Sequence, residues 1–296
     1  MFKFAADQLI LGFFRIYTLS GYHPIIDGRK GTYVQDFEIM LITAAIVTYR
    51  NDLSVLSKAI ESVLTYEGDI RLYIIDNSPD KKIKTILDDP RIEYVHIGEN
   101  LGFGKAHNVA IRLAEQSKST YHIVVNPDIY FDAGELEKMV DFLNRNPKYG
   151  LMMPRIIYPD GSNQYLCKRP PSLSVLVLRR FMPGFIRKMF QKKLDYFEYR
   201  DHSYNGLIED VPYLSGCFMF FRTDILVSLG GFEERIFMYM EDADITFRTL
   251  KISKTVYFPG ATVTHMFAKG SYKNFKLMYY NIEGAVIYFQ KWGLNW

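Results

Sequence analysis

Cysteine is nearly missing from this 296-residue chain: Cys167 and Cys217 are the only two, and neither has a partner at CxxC spacing. That excludes a disulfide framework and a structural zinc site, and it fits a reducing compartment. Long apolar runs are missing too. The longest near the N-terminus, Leu9 to Phe14, stops at Arg15, and no later run approaches the roughly 18 to 20 residues of a spanning helix. No small-residue cleavage site is evident, so no secretory signal is read. A dominant charge is absent as well, because 36 basic against 33 acidic residues leave only +3, too near balance for a nucleic-acid partner.

What is present is enough apolar sequence for a large core. Hydrophobic residues make up 48% and charged ones 23%, which removes the disordered and low-complexity classes. The length allows one large domain or two ordinary ones. The 22 Tyr, 22 Phe and 2 Trp are more rings than a core requires; core filling is their first reading and stacking on flat ligands the second.

Leu41 to Val47 is apolar and partly β-branched, the pattern of a strand buried on both faces. Leu72 to Asp76, Ile92 to Ile97 and His122 to Asn126 follow as further strands. Between them lie helical spacings: Leu53, Leu56, Ile60 and Leu64 behind the caps Asn51 and Asp52; Ala106, Val109 or Ala110, and Leu113; then Leu136, Met139 or Val140, and Leu143. This alternation predicts an α/β fold with a largely parallel, doubly wound sheet. Ligands of such sheets bind beyond the carboxyl ends of the strands. The informative positions are therefore Thr48-Tyr49-Arg50, Asp76-Asn77-Ser78, Asn100-Leu101-Gly102-Phe103-Gly104 and Asn126-Pro127-Asp128.

After about residue 150 the elements shorten, and Tyr158-Pro159-Asp160-Gly161 reads as a hairpin-like turn. Lys168 to Lys193 holds eight Lys or Arg and no Asp or Glu, interleaved with apolar residues including Phe181, Phe185, Met189 and Phe190. Two readings stand: a segment lying on an anionic bilayer, or a solvated insertion whose apolar face packs on the body. Residues 1–39 carry no recognised motif and are read as an N-terminal extension.

Four groups carry potential chemistry. Asp128, at a strand end after a proline, suits a hard divalent cation, although turn and capping roles explain most such residues. The glycines of Asn100 to Gly104, with Asn108 just beyond, precede a helix and open backbone amides to phosphate or ribose oxygens, or simply make a tight connection. They lack the spacing of a dinucleotide fingerprint or of a P-loop. Glu241-Asp242-Ala243-Asp244 opens a helical pattern after Phe237-Met238-Tyr239-Met240; it reads either as dipole-offsetting acids, with Asp244 and Arg248 an i,i+4 pair, or as the seat of a general base. His265 closes the alternating run from Ala261, with Lys269 and Ser271 just beyond.

In order and spacing these pieces, with Ser215-Gly216-Cys217-Phe218-Met219 and Gly230-Gly231-Phe232, resemble the family 2 glycosyltransferases of the GT-A fold, in particular their bacterial rhamnosyltransferase-like branch. The match covers roughly residues 41 to 275. It implies a GT-A Rossmann-like, doubly wound mixed sheet over 40–275, with a nucleotide-binding half (40–150), an acceptor-binding half (151–275) and a C-terminal segment (276–296). It implies an inverting transferase using a nucleotide-diphosphate sugar, dTDP-rhamnose above all, and Mg²⁺ or Mn²⁺. By the same resemblance Thr48, Tyr49 and Arg50 surround base and ribose, Asp76 takes the base edge, and Asn77, Gly102, Phe103 and Asn108 line that pocket. The relatives' Asp-any-Asp motif is Asn126-Pro127-Asp128 here, which makes Asp128 the metal ligand and Asn126 a ribose or water contact. Asp242 becomes the general base, Gly216, Cys217, Glu241 and Arg248 belong to the substrate side, His265 is a second metal ligand, and Lys269 and Ser271 reach the diphosphate. The implied acceptor is a saccharide or a polyprenyl-diphosphate-linked sugar of surface polysaccharide synthesis, and the implied location is cytoplasmic, peripheral on the inner face of the cell membrane. Two other classes remain open: a sugar nucleotidyltransferase, although Thr48-Tyr49-Arg50-Asn51 lacks the expected glycines, and a non-catalytic carbohydrate-binding protein.

Overall fold

The strand-end positions acquire their places from a sheet in which local and distant pairings are interleaved. A computed structural model describes residues 40–266 and 275–294. The alternation expected from the sequence is present as β1 (Ile42–Thr48), α1 (Leu53–Leu64), β2 (Ile70–Asp76), β3 (Ile92–His96), α2 (Gly104–Gln116) and β4 (Tyr121–Val125). Helix α1 starts where it does because the Asp52 carboxylate accepts from the amides of Ser54 (2.9 Å) and Val55 (3.2 Å), which otherwise have no partner in a first turn. Then come β5 (Ile129–Tyr130), α3 (Glu135–Arg145), β6 (Tyr149–Ile157) and β7 (Cys167–Lys168). The turn expected at Tyr158 to Gly161 is closed by the Gly161 amide on the Tyr158 carbonyl (2.9 Å).

Three short helices occupy the basic stretch and its end: α4 (Leu173–Phe181), α5 (Gly184–Met189) and α6 (Gln191–Phe197). The chain continues through β8 (Ile208–Glu209), β9 (Tyr213–Leu214), β10 (Phe218–Arg222), α7 (Thr223–Ser228), α8 (Glu241–Thr249) and β11 (Lys254–His265), and α9 spans Phe275–Trp292.

Among the described residues a nine-stranded mixed sheet runs β3-β2-β1-β4-β10-β6-β11-β5, with β8 added on β11. Strands β1 to β4 pair in parallel, whereas β10 is antiparallel to both of its neighbours, β4 and β6. That reversal decides the site: Phe218 pairs with Val125, so the start of an antiparallel strand meets the carboxyl end of β4 and carries Gly216-Cys217 there. A second long-range pairing, His265 opposite Ile129, brings the end of β11 beside Asp128.

The main core lies between the sheet and its helices, and the central strands are buried on both faces, as continuous apolar runs require. A second apolar cluster joins Val175 and Leu178 of α4, Leu194 and Phe197 of α6, Tyr213 of β9, Met240 and Ala243 at the head of α8, and Tyr288 and Phe289 of α9. That cluster fixes α8. Helix α9 holds it further: Trp292 Nε1 donates to Asp244 (2.9 Å) and Lys291 pairs with the same carboxylate oxygen (2.9 Å). Gly284 of α9 lies against the Tyr239 carbonyl, where a Cβ would collide. Tyr239 and Met240 there have φ of 70° and 74°, left-handed values that side-chain-bearing residues adopt at a cost.

Candidate active site

Beyond β1 and β2 the expected nucleotide positions separate into a floor and a rim. Thr48 and Asp76 are register partners on adjacent parallel strands. Thr48 Oγ1 (3.1 Å) and the Ser78 amide (2.9 Å) donate to Asp76 Oδ1, and the Tyr94 hydroxyl donates to Oδ2 (2.8 Å). Both Thr48 and Asp76 are fully buried. Burial, followed by the Asp76 carboxylate, pushes the Tyr94 hydroxyl pKa up, so Tyr94 stays a donor. Asn77, also buried, donates to the Gly102 carbonyl (3.0 Å). These three residues shape the pocket from beneath. The accessible rim is Tyr49, 44% exposed, and Arg50, whose guanidinium lies 5.5 Å from the Tyr49 ring centroid and whose amide donates to Ser78 Oγ (2.9 Å). A cavity of about 420 Å³ opens beside them, lined by Arg50, Asn51, Ser78, Asp80 and Lys82 among others, room for a base and ribose.

The glycine loop after β3 serves close packing. Gly102 has φ +81° and lies against the Phe237 carbonyl, which also accepts from the Phe103 amide (2.9 Å). The Phe103 ring continues to Gly216, its Cζ 3.5 Å from where a Cβ there would sit. Asn108, expected on the pocket wall, is placed elsewhere: its amide group donates to the Phe232 carbonyl (2.9 Å) and to Glu234 (3.0 Å), and its oxygen accepts from the Phe232 amide (2.8 Å). It clamps the Gly230-Gly231-Phe232 turn. Arg248 works on the same turn, donating to the carbonyls of Leu229 and Gly231 (2.7 Å each) and pairing with Asp244 (2.8 Å). The i,i+4 pair read from the sequence exists, and it supports the fold around α8.

At the end of β4, Asn126 and Asp128 are half-buried and face the other half of the site. The Asn126 amide donates to the Cys217 carbonyl (2.9 Å). His265 Nε2 lies 3.3 Å from Asp128 Oδ1, and Nδ1 is 3.0 Å from Gln164 Oε1. Burial opposes a charge on His265, but the neighbouring Cys217 sulfur and Asp128 outweigh it and lift its pKa to about 10. With Gln164 accepting from Nδ1–H, Nε2 is the nitrogen turned to Asp128, the arrangement that orients a metal-binding imidazole. The 3.3 Å separation is close to the roughly 3 Å between adjacent ligands of an octahedral ion bound at about 2.1 Å. Once Nε2 has released its proton, these two side chains could hold a Mg²⁺ or Mn²⁺, which would bring positive charge to this end of the cleft. Among the described residues no third His, Cys, Asp or Glu joins them.

Asp242 opens α8. Its Oδ2 accepts from the Gly216 amide (3.0 Å) and its Oδ1 from the Ala243 amide (2.9 Å), so the carboxylate is fixed at the edge of the cleft and remains half-buried. A Cβ at Gly216 would lie 3.1 Å from that of Asp242, a tight contact that would press on the carboxylate's position. Glu241 is buried, its Oε2 without a hydrogen-bond partner among the described residues; burial first, and the adjacent Asp242 second, raise its pKa well above the carboxylate range. The Gly216-Cys217 peptide thus connects both halves: its first residue holds Asp242, and its second touches the Asp128 and His265 arm. Lys269 and Ser271 lie outside the described residues. Sequence reasoning missed Gln164, which carries no pattern of its own, and Tyr94, which sits in a strand interior. It also missed Lys168 and Tyr213, which meet only through the pairing of β7 with β9.

The glycosyl transferase family 2 sequence model matches residues 43–229. The N-acetylglucosaminyl-diphospho-decaprenol L-rhamnosyltransferase of Mycobacterium tuberculosis (strain H37Rv) is 32% identical over 185 residues, which are 60% of this chain and 59% of that protein. The rhamnosyltransferase WbbL of Escherichia coli (strain K12) is 22% identical over 200 residues, 65% of this chain and 71% of that protein. The chain spans about six-tenths of the length of the mycobacterial relative it matches. Among solved structures, the mannosyltransferase PcManGT from Pyrobaculum calidifontis in complex with GDP-Man and Mn²⁺ superposes with a TM-score of 0.55 at 15% identity, over 84% of this chain and 63% of that one. GalNAc-T7 with UDP, GalNAc and Mn²⁺ gives 0.58 at 14% identity, over 84% and 48%. These likenesses show a shared fold, the GT-A arrangement expected from the sequence.

Proposed function

Because the chain belongs to glycosyl transferase family 2, we propose that it is an inverting, metal-dependent transferase moving a sugar, rhamnose carried by dTDP, from a nucleotide-diphosphate donor to a lipid-linked saccharide of surface polysaccharide synthesis. The observation that carries this reading is the placement of Asp242 and the Asp128–His265 pair at either end of one peptide, Gly216-Cys217. The cleft floor at Thr48, Asp76 and Asn77, with the rim of Tyr49 and Arg50, takes the nucleotide. The acceptor hydroxyl gives its proton to the Asp242 carboxylate as its oxygen bonds to the anomeric carbon. The bond from that carbon to the diphosphate breaks on the opposite face, so the configuration inverts and the nucleoside diphosphate leaves with the electron pair. Gly216 and Ala243 keep Asp242 from rotating away, and burial, with Asp242 adjacent, raises the pKa of Glu241 and so disfavours a second charge on that side. A cation bound at Asp128 and His265 would supply positive charge for the departing diphosphate.

The basic helices supply the second half of the reading. Phe185 and Met189 are 70% and 77% exposed, Phe181 and Phe190 about half so, beside Arg180, Arg187, Lys188 and Lys192. No helix among the described residues is long and apolar enough to cross a membrane. Exposed rings and sulfur within a field of cations suit the headgroup region of an anionic leaflet, where a prenyl-linked acceptor resides.

The test is a panel of nucleotide sugars with and without Mn²⁺, with N-acetylglucosaminyl-diphospho-prenol as acceptor, following nucleoside diphosphate release. Metal-dependent release from one donor, lost in Asp242→Asn, is the expected result. Pyrophosphate release from a nucleoside triphosphate would instead indicate a nucleotidyltransferase. Equal sedimentation with anionic and neutral vesicles would remove the membrane part.

A further inference from the structure

Beside Asp242 lies a cation that the mechanism above does not use. Lys168 is the second residue of β7 and pairs in register with Tyr213 of β9, the strand that leads through Ser215 to the Asp242-binding amide of Gly216. It is only 8% exposed, and its ammonium lies 4.3 Å from the Tyr213 ring centroid. Among the described residues it has no ion pair and no hydrogen-bond acceptor. A buried lysine is ordinarily paired, because removing an ammonium from water costs several kcal/mol that a ring face offsets only in part. The neighbouring charges are engaged with partners of their own. Arg179 of α4 pairs with Glu198 (3.5 Å), and Arg200 lies between Glu198 (2.9 Å) and Asp195 (3.4 Å). Burial raises the Glu241 pKa well above the carboxylate range, and each oxygen of Asp242 accepts from a backbone amide while its charge remains. Burial pushes the Lys168 pKa down, the Asp242 carboxylate pulls it back up, Arg179 lowers it, and Cys217 and Glu198 raise it.

We propose that the Lys168 ammonium, laid on Tyr213 beside Asp242, is a binding site for a phosphate group, and that the acceptor's sugar-linked diphosphate is its occupant. The ammonium has no ion pair or hydrogen-bond acceptor among the described residues, the Asp242 carboxylate acting on it only through space, and a phosphate oxygen is a partner its chemistry fits. The acceptor is favoured over the donor by continuity, because Lys168 begins the basic segment whose helices α4 and α5 carry the exposed rings. For the identity of the carrier this rests on the transferase reading; the phosphate site itself does not.

Two measurements keep these apart. In EDTA, which silences the Asp128–His265 arm, inorganic pyrophosphate is titrated into wild type and Lys168→Met by calorimetry. Binding weakened about tenfold or more in the variant is expected; no binding to wild type, or equal binding, overturns the site. In the transfer assay, Lys168→Met and Lys168→Gln are expected to raise KM about tenfold for an N-acetylglucosaminyl-diphospho-prenol acceptor, with KM for the donor and for an uncharged octyl N-acetylglucosaminide unchanged. A raised donor KM with unchanged acceptor KM would keep the phosphate site but assign it to the donor. Equal losses on both acceptors with a moved acid limb of kcat/KM would show Lys168 acting on Asp242, and would overturn the proposal. An unchanged thermal midpoint in the variants excludes misfolding as the cause. A wild type that binds pyrophosphate but transfers to neither acceptor would count against the transferase reading alone.

Discussion

The two histidines under the sheet make acid the most quantitative probe of this fold. His107 of α2 is fully buried between Phe103 (ring centroids 4.4 Å apart) and Phe232 (5.9 Å), and neither ring nitrogen has a hydrogen-bond partner among the described residues. His122 of β4 bonds Thr43 Oγ1 through Nδ1 (2.8 Å), and its Nε2 is unpartnered. Burial pushes both pKa values down to about 3, with His122 adding to the shift of His107. An unfolded histidine titrates near 6.5, so between about pH 6.5 and 3 the unfolded chain binds a proton that the folded chain refuses. Stability is then complete above 6.5 and falls with pH below it. At pH 5, about 1.5 units below 6.5, each histidine costs about 2 kcal/mol, and the pair about 4 of a total of roughly 5–15. Glu241 acts in the opposite sense, because its raised pKa makes the folded state the better proton binder above about 4.5. His265, raised to about 10, contributes fully below 6.5 and loses its effect progressively as pH climbs from 6.5 through 10, so within this series it varies only above 6.5. The comparison is therefore between wild type and His107→Leu, in which both of these other groups persist. Urea denaturation at pH 7.5, 6.5, 5.5 and 5 is expected to show the variant gaining about 2 kcal/mol on the wild type between 7.5 and 5. Parallel pH dependences of the two proteins would refute the reasoning and mean that His107 takes up its proton inside the fold without penalty.

Other perturbations test the site and its supports. Asp242→Asn keeps the shape but only one of the two amide contacts, because its Nδ2 cannot accept, and it removes the base, so transfer should fall by about 10²–10⁴ with donor binding retained; initial rates and nucleotide titration check it. Gly102→Ala forces a side chain into φ +81° against the Phe237 carbonyl and should cost about 2–5 kcal/mol, read from urea midpoints. Trp292→Phe removes one donor from Asp244 while Arg248 and Lys291 remain, an expected loss of about 1–2 kcal/mol. Gln164→Leu frees the His265 ring to choose its tautomer and should weaken Mn²⁺ binding about 10–100-fold in a paramagnetic resonance titration with nucleoside diphosphate present.

Much of this protein was determined locally and is legible in the chain. The 3–4 spacing from Leu53 to Leu64 with Asp52 before it, the apolar runs of β1 to β4, and the acids at the head of α8 each depend on neighbours a few residues away, and each element lies within two or three residues of its expectation. The polar strand ends follow from the same parallel order, which is why the site's location was readable before its geometry. The tertiary structure alone decided which side chains meet. Asp128 and His265 are 137 positions apart and depend on the register of β5 with β11; Gly216 reaches Asp242 because β10 enters the sheet antiparallel; and Lys168 meets Tyr213 through two residues of pairing. The tertiary structure also assigned Asn108 and Arg248 to holding the Gly231 turn, and left Tyr49 and Arg50 accessible at the pocket rim while burying Thr48 and Asp76. Periodicity records which face of a segment is buried. Partners that distant are selected by register and packing summed over the whole sheet, and no short stretch of sequence carries that sum.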